Sequence, residues 1–230
     1  MKTLGLIGGT TWLSTIDYYR LINEGVAARV SGHTARLILH SFDFGDILEI
    51  NRTQNWDALL DIVAEASLNL KKSGAQGIVL CANTLHVIAD RLEPRVGLPV
   101  IHIVDAVAAA IRAAGVERVS LLGTRYTMEL PFFRDRLSWH GIGAVIPEPG
   151  DRTFVHETIF SELGKNIFRP ETRARYLSII DSLASHGARG SILGCTEIPL
   201  LIKQTDTSVP VFDTTALHAR AAVDFALSDN

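Results

Sequence analysis

Short apolar runs alternate with longer amphipathic stretches along most of the chain. The short runs are typical of buried strands, whereas the longer stretches repeat apolar residues at helical spacing, as Leu59, Val63 and Leu70 do. Strands that alternate with helices predict parallel sheets joined by right-handed crossovers. The pattern predicts strands at 4–9, 35–41, 77–80, 99–103, 119–124, 143–146, 191–193 and 210–213. It predicts helices at 16–30, 56–73, 87–92, 105–114, 127–139, 154–163, 172–186 and 216–227, with a polar loop around Asn51 and Arg52.

The order strand, glycine, helix occurs twice with a constant offset. Thr10 and Thr124 are 114 positions apart, and so are Cys81 and Cys195. Such a repeat predicts two similar α/β lobes, each a mainly parallel sheet flanked by helices. We expect residues 1–104 plus 209–230 to form the first lobe and 105–208 the second, with the active site in the cleft between them.

The composition and net charge of the chain indicate which kinds of partner it binds. The chain has 230 residues, of which 47% are hydrophobic and 20% charged, so it can bury a sizeable core. The net charge of −3 is spread along the chain and indicates neither a nucleic-acid surface nor a membrane surface. We therefore expect small molecules or copies of the same chain as partners. Because no signal peptide or membrane span is evident, we expect a cytoplasmic protein.

The candidate chemistry begins with the two cysteines, Cys81 and Cys195, which are the only ones in the chain. Each follows a predicted strand, and ligands of open α/β sheets bind at the carboxyl ends of the strands. The alternative is that each is a small buried hydrophobe, the commonest fate of a free cysteine. Two cysteines without nearby Cys or His partners predict neither a disulfide framework nor a zinc site.

Gly8, Gly9, Thr10 and Thr11 form a second candidate feature, a tight turn between the first strand and its helix. The glycines would let a ligand approach the backbone, and the helix N-terminus favours an anion such as a carboxylate. Ordinary turn chemistry explains the same residues about equally well. The chain has neither a dinucleotide fingerprint nor a phosphate-binding loop, so we expect no cofactor and no metal.

Four motifs together resemble the aspartate/glutamate racemase family of cofactor-independent amino-acid racemases. They are Gly8-Gly9-Thr10-Thr11-Trp12, Cys81-Ala82-Asn83-Thr84-Leu85-His86, Leu121-Leu122-Gly123-Thr124 and Gly194-Cys195-Thr196-Glu197-Ile198, in the family's order and over nearly the whole chain. The resemblance implies an isomerase that racemises aspartate or glutamate, without pyridoxal phosphate, and that forms a homodimer. It also implies a two-base mechanism, in which one cysteine removes the α-proton and another returns a proton to the opposite face.

The catalytic candidates are Cys195 and Cys81. Cys195 matches the second acid/base position of the family, whereas the first position falls on Ala82, one residue after Cys81. Neighbouring strand residues point to opposite faces, so the partner of Cys195 is Cys81 turned inward, a water held by Asn83 and Thr84, or nothing. A thiolate base needs its pKa below the usual value of about 8.5, and we expect helix N-termini to lower it.

The resemblance also implies a set of substrate-binding positions. These are Gly9, Thr10, Thr11, Asn51, Ala82, Asn83, Thr84, Thr124, Lys165, Thr196 and Glu197. Lys165 would hold the distal carboxylate, or is a solvated loop lysine. Glu197 either accepts a proton or caps its helix, and we expect His86 and His102 to be structural.

Two other functions stay open on the residues alone. One is a single-thiol enzyme of the same superfamily, like the arylmalonate decarboxylases, in which one cysteine protonates a carbanion. The other is a catalytically silent carboxylate-binding protein. Solvent deuterium at Cα of aspartate would indicate a racemase, and loss of CO₂ from a malonate would indicate a decarboxylase.

Overall fold

The computed structural model describes residues 1–228, which divide into two compact units. The first unit contains Met1–His102 and the segment that begins at His218, and the second contains Ile103–Leu217. Each unit has one four-stranded sheet whose neighbouring strands are all parallel. This confirms the predicted α/β class with two similar lobes.

The first unit follows the strand-helix alternation of the sequence. Its elements are β1 (Leu4–Gly8), α1 (Trp12–Arg29), β2 (Leu37–Ser41), α2 (Phe44–Thr53), α3 (Trp56–Lys72), β3 (Gly77–Leu80), α4 (Ala89–Val96) and β4 (Val100–Ile101). A 3₁₀ turn, Thr84–Ile88, connects β3 to α4. The strand order is β2-β1-β3-β4.

The second unit repeats that strand order as β6-β5-β7-β8. Its elements are α5 (Ile103–Ala113), β5 (Arg118–Gly123), α6 (Arg125–Glu129), α7 (Pro131–Trp139), β6 (Gly143–Val145), α8 (Pro149–Ser161), α9 (Pro170–Ser185), β7 (Ser191–Gly194), α10 (Ile198–Leu201) and β8 (Val211–Asp213). The last helix, α11 (Thr214–Leu227), begins in the second unit and ends in the first.

Both faces of the first sheet are covered, which explains why its central strands are apolar at every position. Ile7, Ile78 and Leu80 pack with α2, α3 and α4 on one face. Leu6 and Val79 pack with α1 and α11 on the other face. The second sheet is built the same way, with α8, α9 and α10 on one face and α5 and α7 on the other.

Three features differ from the sequence prediction. The predicted loop around Asn51 is the helix α2, which starts where Asp43 accepts a hydrogen bond from the Gly45 amide at 2.7 Å. The predicted helix 127–139 is two helices, because Pro131 supplies no amide hydrogen to continue α6. The lobe boundary expected at 209 lies at 217/218 instead, since β8 pairs with β7 and stays in the second sheet.

Candidate active site

Two paired glycines end the central strands of the second unit. Gly123 of β5 lies opposite Gly194 of β7 in the parallel register. A Cβ atom at either position would lie 2.8 Å from a carbonyl oxygen of the other strand, so only glycine lets the strands approach this closely. Thr124 and Cys195 follow these glycines and therefore leave the sheet side by side.

The Cys195 thiol donates a hydrogen bond to Oε2 of Glu197 at 2.8 Å. The Thr196 hydroxyl donates to the same oxygen at 2.7 Å. Cys195 is partly exposed, whereas Glu197 is buried with 4% of its surface accessible. The two residues therefore form a thiol–carboxylate pair of which the thiol residue is partly accessible to solvent.

This environment raises the pKa of the Cys195 thiol well above its usual value. Burial is the largest cause, and the negative charge and hydrogen bond of Glu197 add to it. Hydrogen bonds from the backbone of Thr196 and Glu197, at the start of α10, lower the pKa of the thiol, as expected for a helix N-terminus. Burial and the Glu197 carboxylate outweigh them, so the net shift is upward.

Glu197 does not cap its helix. It occupies the N-cap position of α10, but its side chain makes no capping hydrogen bond. The sequence left two roles open for Glu197, helix cap or proton acceptor. Because its Oε2 accepts hydrogen bonds from Cys195 and Thr196, the geometry favours the proton acceptor. Thr124 caps α6 by accepting a hydrogen bond from the Thr127 amide at 3.4 Å, and it is buried.

Lys165 is the last residue of a 3₁₀ turn that follows α8, and its side chain is exposed. The Thr172 hydroxyl donates to Glu162, just before this turn, at 2.6 Å. Lys165 therefore comes from a turn and not from a strand end, and its contact with a distal carboxylate stays a prediction.

In the first unit, the turn after β1 requires glycine at position 9. Gly9 has φ +87°, and a Cβ there would lie 2.1 Å from the carbonyl oxygen of Phe42. Its amide donates to Thr15 Oγ1 at 2.9 Å. Thr11 caps α1 by accepting from the Ser14 amide at 3.3 Å. The predicted positions Gly9, Thr10 and Thr11 therefore form a rigid turn at the carboxyl end of β1.

Ala82, Asn83 and Thr84 lie beside this turn, because β3 pairs directly with β1. The backbone that carries them is fixed by His86, whose Nδ1 donates to the Ala82 carbonyl at 3.0 Å. The His86 amide also donates to the Asn83 carbonyl at 3.1 Å. Asn51 lies on α2 instead, so it comes from a different element.

Cys81 faces the other way from Ala82. It is fully buried and packs with Tyr18, Val79 and Val223 between the sheet, α1 and α11. Burial raises the pKa of its thiol. Ala82 packs against the opposite cluster and is only partly buried. These surroundings are those of a core cysteine, and nothing in them favours a catalytic role for Cys81.

Several polar side-chain atoms are shielded from solvent and make no hydrogen bond within residues 1–228. They include Thr10 Oγ1 and Asn51 Oδ1, which belong to predicted substrate-binding residues. They also include Thr215 Oγ1, which follows β8 and was not identified from the sequence. The run Asp213-Thr214-Thr215 at the end of a strand was a signal that could have identified it. Buried polar atoms without partners are rare, and they are candidates for ligand contacts.

Three buried histidines pack together in the first unit. The ring centroids of His86 and His102 are 4.8 Å apart, and those of His86 and His218 are 5.2 Å apart. His218 Nε2 donates to the Ile101 carbonyl at 2.6 Å, so its Nδ1 accepts from the Tyr18 hydroxyl at 2.8 Å. These ring contacts lie within the core of the first unit, and a structural role for His86 and His102 stays a prediction.

Parallel strands that end in hydroxyls, amides and one thiol define a class of α/β protein that binds small polar ligands at strand ends. Among the described residues no group of three or more His, Cys, Asp or Glu side chains is placed to hold a metal. None of the helices within 1–228 is long and apolar enough to cross a membrane. The chain belongs to the Asp/Glu/Hydantoin racemase family, whose sequence profile matches residues 7–222.

Solved structures of this family resemble the whole chain. A candidate Asp/Glu racemase from Yersinia pestis is 47% identical, with a TM-score of 0.94 over 99% of this chain and 100% of that one. An aspartate racemase homologue from Pyrococcus horikoshii is 34% identical, with a TM-score of 0.87 over 99% and 100%. A broad-specificity amino-acid racemase from Bacillus subtilis is 23% identical over 77% of each chain.

Proposed function

We propose that the protein is an amino-acid racemase that acts on aspartate and/or glutamate without a cofactor. The observation that carries the proposal is the Cys195–Glu197 hydrogen bond at the end of β7. It supplies a titratable thiol and a proton acceptor in a chain of the racemase family. The substrates named for related proteins, aspartate and glutamate, suggest which amino acids to test first.

The pair shares one proton between sulfur and carboxylate. With the proton on Cys195, the thiol can protonate a carbanion at Cα, which leaves a thiolate. With the proton moved to Glu197, the thiolate can remove the α-proton, which leaves a thiol and a protonated carboxyl group. Positioned acid–base groups of this kind contribute about 10²–10⁴ in rate. The substrate ammonium group would favour the thiolate electrostatically.

Substrate binding would use further polar groups at the positions that the family resemblance implies. Thr10 and Asn51 have shielded polar atoms without partners in residues 1–228, and a ligand would satisfy them. Removal of the α-proton places negative charge on the substrate carboxylate, which hydroxyl and amide donors stabilise. We assign this role to the positions implied by the family, and Lys165 to a distal carboxylate. The proposed donors are the side chains of Thr11, Asn83, Thr84 and Thr124. The Gly9 amide and the Thr196 hydroxyl already donate to Thr15 and Glu197, so these two residues would shape the site.

The test is incubation of the purified protein in D₂O with each enantiomer of aspartate and glutamate. We expect deuterium at Cα and the opposite enantiomer as product, followed by NMR and chiral chromatography. Exchange should persist in EDTA and hydroxylamine, which remove metals and block pyridoxal phosphate. The matched control is Cys195→Ala, which should exchange nothing. Absence of exchange with every substrate in the unmodified protein would contradict the proposal.

A second function has one specific observation in its favour. Cys81 is buried and position 82 is alanine, so Cys195 is the single partly exposed thiol of the chain. A single thiol suffices for a decarboxylase or isomerase that protonates one face of a carbanion. Release of CO₂ from an arylmalonate, without exchange of amino acids, would favour this function. Binding of aspartate without any turnover would indicate a silent carboxylate-binding protein.

The homodimer and the cytoplasmic location stay predictions from the sequence.

A further inference from the structure

Thr215 follows the strand next to the one that carries Cys195. In the parallel register of β7 and β8, Leu193 lies opposite Asp213. Cys195 and Thr215 are each two residues beyond that pair. Since neighbouring strands are about 4.8 Å apart, the two segments leave the sheet next to each other.

The residues before Thr215 hold this turn in place. Asp213 Oδ1 accepts hydrogen bonds from the amides of Thr215 at 2.9 Å and Ala216 at 3.1 Å. The Thr214 hydroxyl donates to the Leu193 carbonyl at 3.0 Å. The backbone of Thr215 is therefore fixed from both sides, to its own helix and to β7.

The side chains of Asp213 and Thr214 both make hydrogen bonds, whereas the Thr215 hydroxyl makes none within residues 1–228. The residue is 4% exposed. A helix threonine usually avoids this state by bonding a carbonyl one turn earlier, as Thr158 does with Phe154 at 2.8 Å. Thr10 and Asn51, two residues of the implied substrate site, have the same property.

Negative charge near Thr215 favours the ammonium group of an amino acid over its carboxylate. Asp213 and Glu197, the carboxylates after β8 and β7, place two acidic groups at these strand ends. Acidic groups attract an ammonium group and repel a carboxylate. A hydroxyl oxygen can accept a hydrogen bond from an ammonium N–H.

We propose that the Thr215 hydroxyl binds the α-ammonium group of the substrate beside the Asp213 carboxylate. The inference rests on the proposed racemase function and names one contact of that site. It explains why a buried hydroxyl without a partner is found where valine would fill the same space. It also places the ammonium group in the same unit as Cys195, where its charge would favour the thiolate.

The test compares two ligands across three variants. Aspartate has the ammonium group, and succinate has the same two carboxylates without it. Thr215→Val keeps the shape and removes the hydroxyl, whereas Thr215→Ser keeps the hydroxyl. Ser67→Ala is the matched control, because Ser67 Oγ is also buried without a partner in residues 1–228 but lies on α3.

We expect Thr215→Val to raise the KM for aspartate about tenfold or more, as loss of a hydrogen bond to a charged group does. The inhibition constant of succinate should change less than twofold, and the melting temperature should not fall. Thr215→Ser and Ser67→Ala should keep the KM of the unmodified protein. An unchanged KM in Thr215→Val, or an equal loss for aspartate and succinate, would overturn the inference.

The racemase proposal and the ammonium contact can be tested independently of each other. If the unmodified protein exchanges no α-hydrogen, calorimetric binding of aspartate and succinate replaces the kinetic constants. A selective loss of aspartate affinity in Thr215→Val would then support the ammonium contact in a protein that is not a racemase. Equal affinities, or no binding of either ligand to the unmodified protein, would reject the contact as well.

Discussion

The Cys195 thiol donates a hydrogen bond to Glu197 at 2.8 Å, and burial together with this carboxylate raises the pKa of the thiol. Replacing Glu197 with glutamine removes the negative charge, so the pKa of Cys195 should fall. The alkylation of Cys195 by iodoacetamide, measured against pH, should then reach its midpoint at lower pH. Exchange at Cα should nevertheless drop about 100-fold, because the proton acceptor is lost.

The same alkylation experiment can distinguish the effect of the Glu197 charge from the effect of the position of its carboxylate. Glu197→Asp keeps the charge but shortens the side chain, so the pH profile of alkylation should move less than in Glu197→Gln. An identical profile in Glu197→Gln and the unmodified protein would mean that the carboxylate does not govern the thiol.

Cys81→Ala should leave most of the Cα exchange intact, because this thiol packs in the core and not at the strand end. Cys81→Ser places a hydroxyl among apolar side chains, so it should lower the free energy of unfolding by about 1–3 kcal/mol. Cys195→Ser should have the opposite pattern, with exchange abolished and stability nearly unchanged. Urea denaturation and deuterium exchange measure the two effects.

Gly9→Ala should unfold or severely destabilise the protein, since its Cβ would lie 2.1 Å from the Phe42 carbonyl oxygen. The matched control is Gly74, which has φ +103° and nothing within 4 Å of an added Cβ. Gly74→Ala should cost only the left-handed backbone conformation, about 1–2 kcal/mol. Equal losses at the two positions in urea denaturation would show that the steric clash relaxes.

The strands were predictable because short apolar runs end at glycines, and the repeat of 114 residues predicted the matching topology of the two sheets. Helix α2 was not predicted, since it has only ten residues, contains the poor helix formers Gly45 and Asn51, and buries only Ile47. Strand alternation separated Cys81 from Ala82, and the two residues pack in different clusters. The raised pKa of Cys195 and the lack of a hydrogen-bond partner for Thr215 Oγ1 within residues 1–228 depend on side-chain contacts. The spacing of residues in the sequence does not predict such contacts.

The buried histidines should make the protein sensitive to acid. Burial lowers the pKa of His218 to about 4, and burial with the neighbouring histidine charges lowers that of His86. An unfolded histidine titrates near 6.5, so the unfolded state binds more protons between pH 4 and 6.5. The free energy of unfolding should therefore fall as the pH drops through this window, by about 3 kcal/mol for His218.

His218→Gln tests this assignment, because the glutamine amide can still donate to the Ile101 carbonyl but does not titrate. The slope of unfolding free energy against pH between 4 and 6.5 should decrease by about one proton. His86, His102 and the Tyr18 hydroxyl are the other titratable groups in contact, and they remain in place. The same slope in His218→Gln and in the unmodified protein would assign the acid sensitivity elsewhere.

The motif resemblance predicts that the first acid/base position of the family falls on Ala82, whose side chain has no ionisable proton. Its carbonyl is held by His86 at 3.0 Å, and its side chain is partly exposed next to Asn83. If a water held near Asn83 serves this face of Cα, exchange should be slow and unequal for the two enantiomers, because water is a poorer base than a positioned thiolate. Ala82→Cys and Ala82→Thr should raise racemisation at least about tenfold, near the low end for a positioned acid–base group. Ala82→Val matches the shape of threonine without a proton and should give no gain. Equal and fast exchange of both enantiomers in the unmodified protein, lost in Cys81→Ser, would instead identify Cys81 as the first base.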